Sequence, residues 1–170
     1  MTADRVEHLI AAWEQELPAV LHPTTELTKR LMLLAADLDE PVRQCLRELG
    51  LTTAEFDVLV TLRRSGAPYR MKPTELMRSL LLSSGGTSNV LNQLANRGLV
   101  VREPDPEDGR GTQIRLTDEG IPAAEKAVLD TAAAQANVWA GVSPETLAAA
   151  TEALRALTRA GNSKHSKLPT

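Results

Sequence analysis

A row of small, uncharged side chains with hydrogen-bonding groups occupies one helical face near the middle of the chain. At 3.6 residues per turn, that face carries Gly85, Ser88, Asn89, Asn92 and Asn96. The opposite, mostly apolar face carries Thr87, Val90, Leu91 and Leu94. Ser and Asn weaken a helix because their side chains compete for backbone hydrogen bonds, and a solvated face usually carries Lys and Glu instead. The pattern therefore indicates a surface that recognises another molecule through hydrogen bonds.

The chemistry that these side chains offer is recognition of nucleic-acid bases. An asparagine, Asn89 or Asn92, can form paired hydrogen bonds with adenine, and a serine can bond a base edge or a phosphate. Glycine lets backbone amides approach a duplex, although relief of crowding between helices would also explain Gly85 and Gly86. The candidate DNA-contacting residues of this segment are Ser83, Ser84, Gly85, Ser88, Asn89 and Asn92.

The flanking segments predict the elements that would position this helix. Pro73–Leu80 is predicted to be a short helix with proline at its first position, followed by a brief turn. Gly98–Pro104 and Gly111–Leu116 contain β-branched residues and are joined by a link with Gly and Pro, which predicts a hairpin. Pro68–Lys72 could add a third strand. Helix, turn, helix and hairpin in this order predict a winged helix, so the expected fold is mainly α with a small β-wing.

The basic residues around this segment are candidate contacts to the DNA backbone and minor groove. Arg110 lies at the hairpin tip, where an arginine can enter a minor groove and respond to its width and negative potential. Arg70, Lys72 and Arg115 are candidate phosphate contacts. The alternatives are a solvated turn for Arg110 and ordinary surface charge for the others. Residues 61–116 hold nine Lys/Arg and five Asp/Glu, whereas the whole chain has a net charge of −3, so positive charge is concentrated here.

The rest of the chain is predicted to be helical, which suggests a division into regions. Residues 1–22 form an N-terminal extension helix, 23–50 and 117–159 a helical dimerisation region, 51–116 the DNA-binding lobe, and 160–170 a polar, flexible tail. The last two helices are rich in alanine and have too few large side chains to build a core. We therefore expect the chain ends to pack against a second copy in a two-fold homodimer, with a core inside one chain as the alternative.

Several residues predict where helices start or break. Thr52 and Glu55 form a capping box, in which each side chain satisfies a backbone amide at a helix start. Thr117 and Ser143 are expected to cap the two later helices. Pro41 is expected to kink or interrupt the helix that begins near residue 24.

Composition excludes several classes of protein. The 170 residues are 42% apolar, which fits one domain with or without an extension. No apolar run approaches membrane-spanning length and no basic segment precedes an apolar one, so we expect a cytoplasmic protein. One cysteine and three scattered histidines offer no metal-ligand cluster, and we expect no metal or other cofactor. The same scarcity leaves no nucleophile, base and orienting group for an enzyme.

The order of elements and several motifs resemble the MarR (multiple-antibiotic-resistance regulator) family over residues 24–159. The motifs are Leu51–Leu59 (LTTAEFDVL), Thr74–Leu76 (TEL), Asn96–Val100 (NRGLV), Asp105–Gly111 (DPEDGRG) and Leu116–Gly120 (LTDEG). The resemblance implies a homodimeric winged-helix transcription factor that binds a pseudo-palindromic operator, usually as a repressor, and whose DNA affinity changes with an effector. It also implies that Asp108 holds Arg110 in place. One departure is Lys72, which stands where the family often has a hydroxyl residue that caps the next helix. A winged helix used only for contact with other proteins is the alternative.

The same resemblance suggests residues for an effector site. Trp13, Asp57 and Arg102 are similar to residues implicated in the urate-responsive branch of the family, which carries an arginine in the recognition helix where this chain has Val90. The alternatives are a hydrophobic anchor for Trp13 and an ion pair between Asp57 and Arg102. Another small aromatic or carboxylate ligand could occupy a crevice between the helical region and the DNA-binding lobe. Oxidation sensing needs an activated thiolate, but Cys45 lies among apolar neighbours and is expected to be structural.

Overall fold

The computed structural model describes residues 4–80, 84–106 and 111–165, with the side chains of 84, 85 and 161–165 outside that description. In chain order, the elements are α1 (Arg5–Glu16), a short 3₁₀ turn (Pro18–Val20), α2 (Thr25–Glu48), α3 (Thr53–Arg64), β1 (Arg70–Met71), α4 (Pro73–Leu80), α5 (Ser84–Asn96), β2 (Val100–Pro104), β3 (Thr112–Leu116), α6 (Gly120–Val138) and α7 (Pro144–His165). The chain divides into two compact units, Met1–Gln135 and Ala136–Thr170. Helices with one small antiparallel sheet confirm the predicted fold class.

Local sequence signals start three helices where they were expected. In the capping box of α3, Thr52 Oγ1 accepts from the Glu55 amide at 3.2 Å and Glu55 Oε2 accepts from the Thr52 amide at 2.8 Å. Thr117 Oγ1 accepts from the amide three residues later at 2.9 Å, at the start of α6. Ser143 Oγ does the same at 3.2 Å for α7. These caps satisfy amides that have no partner within their helices.

Of the two expectations for Pro41, a kink or an interruption, the interruption is wrong, because α2 continues through Pro41 from Thr25 to Glu48. A proline in a helix interior removes one backbone hydrogen bond. Ion pairs cross this position, since Arg43 lies 2.7 Å from Asp39 and 3.1 Å from Glu40. The other backbone bonds of a 24-residue helix and these pairs keep the helix intact.

The last helix is longer than expected. α7 ends at His165 rather than near Arg159, so residues 160–165 are helical where a flexible tail was predicted. Each residue added to an existing helix contributes a further backbone hydrogen bond, and the sequence has no proline between Pro144 and Pro169. No helix in the described part of the chain is both long and apolar enough to cross a membrane.

One hydrophobic core supports the helix pair and the sheet of the first unit. Its fully buried side chains include Leu46, Val58, Leu59, Leu62, Leu76, Leu94, Ile114 and Leu116. These residues come from α2, α3, α4, α5 and β3. Burial of each such side chain contributes on the order of 1.5–3 kcal/mol, so the core fixes the positions of α5 and the sheet together.

The sheet has the order β1-β3-β2, and all pairs are antiparallel. β1 confirms the third strand that was expected before α4. Arg102 lies opposite the buried Ile114, while Arg115 lies opposite both Val101 and Arg70. Residues directly opposite each other share a face of the sheet. Arg102 is therefore on the face turned towards the core, and Arg70 and Arg115 are on the other face.

Candidate nucleic-acid interface

α5 has the two faces that the sequence predicts. Its buried side chains are Thr87, Val90, Leu91 and Leu94. Ser88, Asn89 and Asn92 are exposed on the opposite side. Because the apolar face is fixed in the core, the polar face is held outwards on a rigid support. Uncharged hydrogen-bonding groups on such a face can read base edges.

α4 precedes α5 as the first helix of the pair. Leu76 of α4 is completely buried in the core. Lys72 stands where the family often has a capping hydroxyl residue, and the Glu75 carboxylate accepts from the Lys72 amide at 3.1 Å. The remaining candidates of the reading segment are at its start: Ser84 and Gly85 lie in the first turn of α5 without described side chains, and Ser83 lies outside the described residues.

Arg102 extends from β2 to the polar face of α5. Its Nη2 donates to Asn92 Oδ1 over 2.8 Å, and both residues are exposed. The sheet register is consistent with this contact, because Arg102 shares a sheet face with Ile114, which belongs to the same buried core as the apolar face of α5. The structure therefore places Arg102, a predicted effector residue, beside the predicted base-reading residues.

The three predicted phosphate contacts differ in how far their charge is neutralised. Lys72 Nζ lies 2.9 Å from Asp105 Oδ2, and Arg115 Nε lies 3.0 Å from Glu103 Oε2. Arg70 is exposed and forms no ion pair with any described residue. A carboxylate at about 3 Å offsets much of a cation's attraction for phosphate. Of the three, Arg70 thus keeps the most charge available to a duplex.

Asp105 stabilises the base of the wing, where the β2–β3 loop begins. Its side chain is 1% exposed, and its carboxylate accepts from Gln113 Nε2 at 2.9 Å in addition to the bond with Lys72. Its backbone amide donates to Gly111 O over 2.9 Å, closing the two ends of the loop. A buried carboxylate is tolerated when it is paired with a cation and hydrogen-bonded, as here. The predicted wing-tip residues that lie outside the described residues are Asp108 and Arg110.

Sequence reasoning did not identify the contact that holds the C-terminal end of α5. Arg97, just after this helix, donates from Nη1 to Glu55 Oε1 at 3.1 Å and to Gly50 O at 3.0 Å. Burial alone would raise the pKa of Glu55, but hydrogen bonds from Thr52 and Arg97 outweigh it and leave the pKa lowered. The capping-box pattern identifies Glu55, yet it gives no indication that the second oxygen binds a cation far along the chain.

The three predicted effector residues are not joined to one another. Trp13 is 41% exposed on α1 and lines a small hollow with residues of the following turn and α2. Asp57 is half-buried on α3, and this burial raises the pKa of its carboxyl. Among the described residues, no ion pair joins Asp57 to Arg102, and Arg102 donates to Asn92.

A cavity of about 450 Å³ lies between α3 and α6. Its lining residues are Val60, Arg63, Arg64, Glu125, Val128 and Leu129. Arg63 Nη2 is 2.7 Å from Glu125 Oε1, and its guanidinium carbon lies 4.7 Å from the centre of the Tyr69 ring. Sequence reasoning did not select Arg63 and Arg64, since basic residues in the last turn of a helix usually complement its dipole. The arrangement can hold a flat or anionic molecule between apolar walls.

The surroundings of Cys45 oppose ionisation of its thiol. Burial raises the pKa of its thiol, and the nearby carboxylates of Asp130 and Glu48 raise it further. The thiolate is the reactive form, so a raised pKa opposes reaction. Within the described residues, no group of three His, Cys, Asp or Glu side chains could hold a metal ion.

Comparison with known sequences places this architecture among transcriptional regulators. A family model described as MarR family matches residues 49–111. The HTH-type transcriptional regulator PecS of Dickeya dadantii is 29% identical over 116 residues, 68% of this chain and 70% of PecS. An uncharacterized HTH-type transcriptional regulator of Bacillus cereus is 30% identical over 110 residues, 65% of this chain and 71% of that protein. MarR of Escherichia coli is 32% identical over 88 residues, 52% of this chain but only 59% of MarR.

Solved structures give the same fold. A MarR family protein from Bacillus stearothermophilus superposes with a TM-score of 0.70 and 26% identity, over 82% of this chain and 95% of that one. BpsR of Bordetella bronchiseptica, whose DNA binding is regulated by 6-hydroxynicotinic acid, superposes with a TM-score of 0.64 and 22% identity. The match covers 81% of this chain and 96% of BpsR. A mutant E. coli MarR complexed with operator DNA superposes with a TM-score of 0.64 and 23% identity. The match covers 81% of this chain and 99% of that one. At these identities, the last two show likeness of fold alone.

Proposed function

The chain belongs to the MarR family of DNA-binding transcriptional regulators, and from this premise we propose that it acts as a homodimeric, sequence-specific repressor that a small aromatic or anionic effector releases from its operator. The observation that carries the proposal is the exposed face of α5, where Ser88, Asn89 and Asn92 lie opposite a buried apolar face. Hydrogen-bonding groups held rigidly in this way suit the major groove.

The charge around α5 supports contact with a duplex. Arg70 and Arg102 are exposed, and neither forms an ion pair with a described acid. Lys72 and Arg115 are candidate contacts whose carboxylate partners a phosphate would have to compete with. Arg110 lies outside the described residues, and its insertion into a minor groove stays a prediction from the sequence.

Exposed apolar side chains support a dimer. In the N-terminal part of the chain, the exposed large apolar residues are Leu9, Trp13, Leu17, Val20, Leu27, Leu31, Met32 and Leu34. In the second unit, α7 exposes Leu154 and Leu157 at helical spacing. Large apolar side chains concentrated on a surface mark a contact with another molecule. A second copy would cover them and present two α5 helices to half-sites about one DNA turn apart.

The cavity between α3 and α6 is our candidate effector site. It separates the predicted DNA-binding lobe from the first helix of the predicted C-terminal dimerisation segment. Its apolar walls suit an aromatic ring, and Arg63 and Arg64 suit a carboxylate or another anion. BpsR, a protein of the same fold, responds to 6-hydroxynicotinic acid, which is both aromatic and anionic. An effector here would act on DNA affinity by favouring one placement of the lobe.

The proposal includes no catalytic activity, because the relatives are transcriptional regulators. We also place the protein in the cytoplasm, since these relatives are bacterial and the bacterial chromosome lies in that compartment.

Fluorescence anisotropy with duplex DNA from upstream of the protein's own gene tests the proposal. We expect tight binding that weakens steeply with salt, because a binder that neutralises phosphates releases counterions. Arg110→Ala should weaken binding and make the salt dependence shallower, whereas Asn89→Ala should relax base preference. Arg47→Met, which removes an exposed arginine of α2, is the charge-matched control and should change neither.

Two outcomes would count against the proposal. Binding that survives Arg110→Ala and Asn89→Ala with little salt dependence would favour a protein-contact module. Footprinting without a two-fold pattern would contradict the dimeric mode. A metabolite screen on the protein–DNA complex, which follows release, tests the effector in the same format.

A further inference from the structure

We propose that Asn92 and Arg102 form one specificity-determining unit that reads guanine rather than adenine in the major groove. The inference rests on the proposed function, because it names the base that the DNA-binding surface selects. Its starting point is the 2.8 Å hydrogen bond from Arg102 Nη2 to Asn92 Oδ1.

The contact fixes which way the Asn92 amide points. A guanidinium has N–H donors and no acceptor, so only the carbonyl oxygen of the amide can face it. The amide nitrogen of Asn92 is then on the opposite side of the amide from Arg102, on a side chain that is exposed. Asn92 consequently keeps both N–H donors available while one lone pair of its acceptor is occupied.

This orientation disfavours the pairing that asparagine normally makes with adenine. Asparagine reads adenine by accepting from the N6 amino group and donating to N7, which needs both ends of the amide. Arg102 occupies one lone pair of Asn92 Oδ1 and holds that end of the amide towards β2, so the donor Nδ2 is the end of the amide that stays available. The remaining N–H groups of Arg102 add further donors beside it. A surface with donors alone matches guanine, whose O6 and N7 are both acceptors in the major groove.

The environment of Arg102 agrees with this role. The residue is exposed and forms no ion pair with a described acid, unlike Arg115 and Lys72, which are paired with Glu103 and Asp105. The recognition helix has no Lys or Arg of its own between Ser84 and Asn96. Arg102 therefore supplies, from the adjacent strand, the cation that the helix lacks.

A phosphate could satisfy the same donors, and the two sources predict different behaviour. A phosphate contact carries no sequence information and strengthens binding to all duplexes equally. A guanine contact affects one base pair in each half-site. Random-sequence DNA distinguishes the two, so the operator need not be identified first.

The experiment is selection from a random-sequence double-stranded DNA library with the full-length protein and with Arg102→Met, Asn92→Ala and Arg47→Met. The wild-type motif should contain a guanine in each half-site that both Asn92→Ala and Arg102→Met weaken, with a loss of preference between about fivefold and 150-fold. In Arg102→Met, Asn92 Oδ1 becomes free, so preference at that position should move from guanine towards adenine. Arg47→Met should keep the wild-type motif.

The outcomes separate the inference from the function on which it rests. A motif in which no guanine responds to Arg102→Met overturns the inference, as does uniformly weaker binding with a shallower salt slope, which identifies a phosphate contact. Adenine at the position that responds to Asn92→Ala in the wild type also overturns it. A wild-type protein that enriches no motif contradicts the proposed function itself, and the inference with it. Because the motif is read from bound molecules, a modest loss of stability does not alter the result.

Discussion

Arg97 and Glu55 are joined by an ion pair of 3.1 Å that connects the end of α5 to the first turn of α3. The Glu55 side chain is 5% exposed and that of Arg97 is 40% exposed. The same arginine also binds Gly50 O, so one side chain closes the space between the α2–α3 turn and the recognition helix. The geometry of the reading surface therefore depends on a charge pair at its far end.

We predict that Arg97→Met destabilises the protein by about 1–2 kcal/mol, because it leaves the buried Glu55 carboxylate short of a partner. The figure is below that for a fully buried pair, since water reaches the arginine. Urea denaturation followed by circular dichroism measures the change. Arg47→Met serves as the control: Arg47 pairs with Glu40 at 3.3 Å on an exposed surface, and its loss should change stability by less than about 0.5 kcal/mol. Equal effects of the two substitutions would contradict the prediction.

The lowered pKa of Glu55 predicts how stability depends on pH. A carboxyl with a lower pKa in the folded state adds stability above its unfolded pKa, near pH 4.3, and loses that stability as the pH falls through the folded value. Glu55→Gln removes this contribution. The difference in the free energy of unfolding between wild type and Glu55→Gln should thus be largest near neutral pH and shrink below about pH 4. A difference that stays constant from pH 7 to pH 3 would show that the carboxylate charge is not involved.

Much of this architecture follows from local sequence patterns. The two faces of α5 follow from a 3.6-residue period, and the capping box of Thr52 and Glu55 from a spacing of three residues. Arg102 shows where such reasoning ends. Its partner depends on the register of β2 with β3 and on the packing of α5 against the sheet, and neither follows from the period of a single helix or strand. The sequence therefore selected Arg102 as a candidate effector residue without identifying Asn92 as its contact.

Charge partners were the other element that local patterns could not supply. Lys72 and Arg115 were chosen as cations from the sequence, but their carboxylates lie on other elements of the fold. For Pro41, the local rule was outweighed by the rest of α2, whose backbone bonds and ion pairs extend across the proline. Long-range contacts therefore determine which cations are paired, and the length of α2 determines whether the helix continues through Pro41.

Replacing Gly120 with alanine is predicted to destabilise the protein strongly. A Cβ built on Gly120 would lie 1.9 Å from the carbonyl oxygen of Leu99 and 2.9 Å from its carbon, and backbone atoms cannot move aside as a flexible side chain can. Gly120→Ala should lower the free energy of unfolding by about 2–3 kcal/mol or more, because the start of α6 must shift away from the Leu99 backbone just before β2. Thermal or urea unfolding measures the loss.

Gly141→Ala is the matched control for this substitution. Its added Cβ would meet no described atom within 4 Å, so we expect a change below about 0.5 kcal/mol. If Gly120→Ala were as mild as Gly141→Ala, the close approach of Leu99 and Gly120 would be contradicted.

The α3–α6 cavity leads to a prediction about effector affinity. Glu125 pairs with Arg63 and raises the pKa of the arginine, so an anionic ligand must compete with this carboxylate for the guanidinium. Glu125→Gln should tighten binding of an anionic probe several-fold, whereas Arg63→Met should weaken it by about tenfold to 100-fold, the range for a hydrogen bond to a charged group. Calorimetry with 6-hydroxynicotinic acid and with urate measures both changes in affinity.

Lys126→Met is the control for these variants, because it removes a charge from the same helix outside the cavity and should leave the affinity unaltered. If neither Glu125→Gln nor Arg63→Met changes the affinity, the effector binds elsewhere. Tighter binding by Glu125→Gln together with weaker binding by Arg63→Met would identify Arg63 as the group that binds the anion.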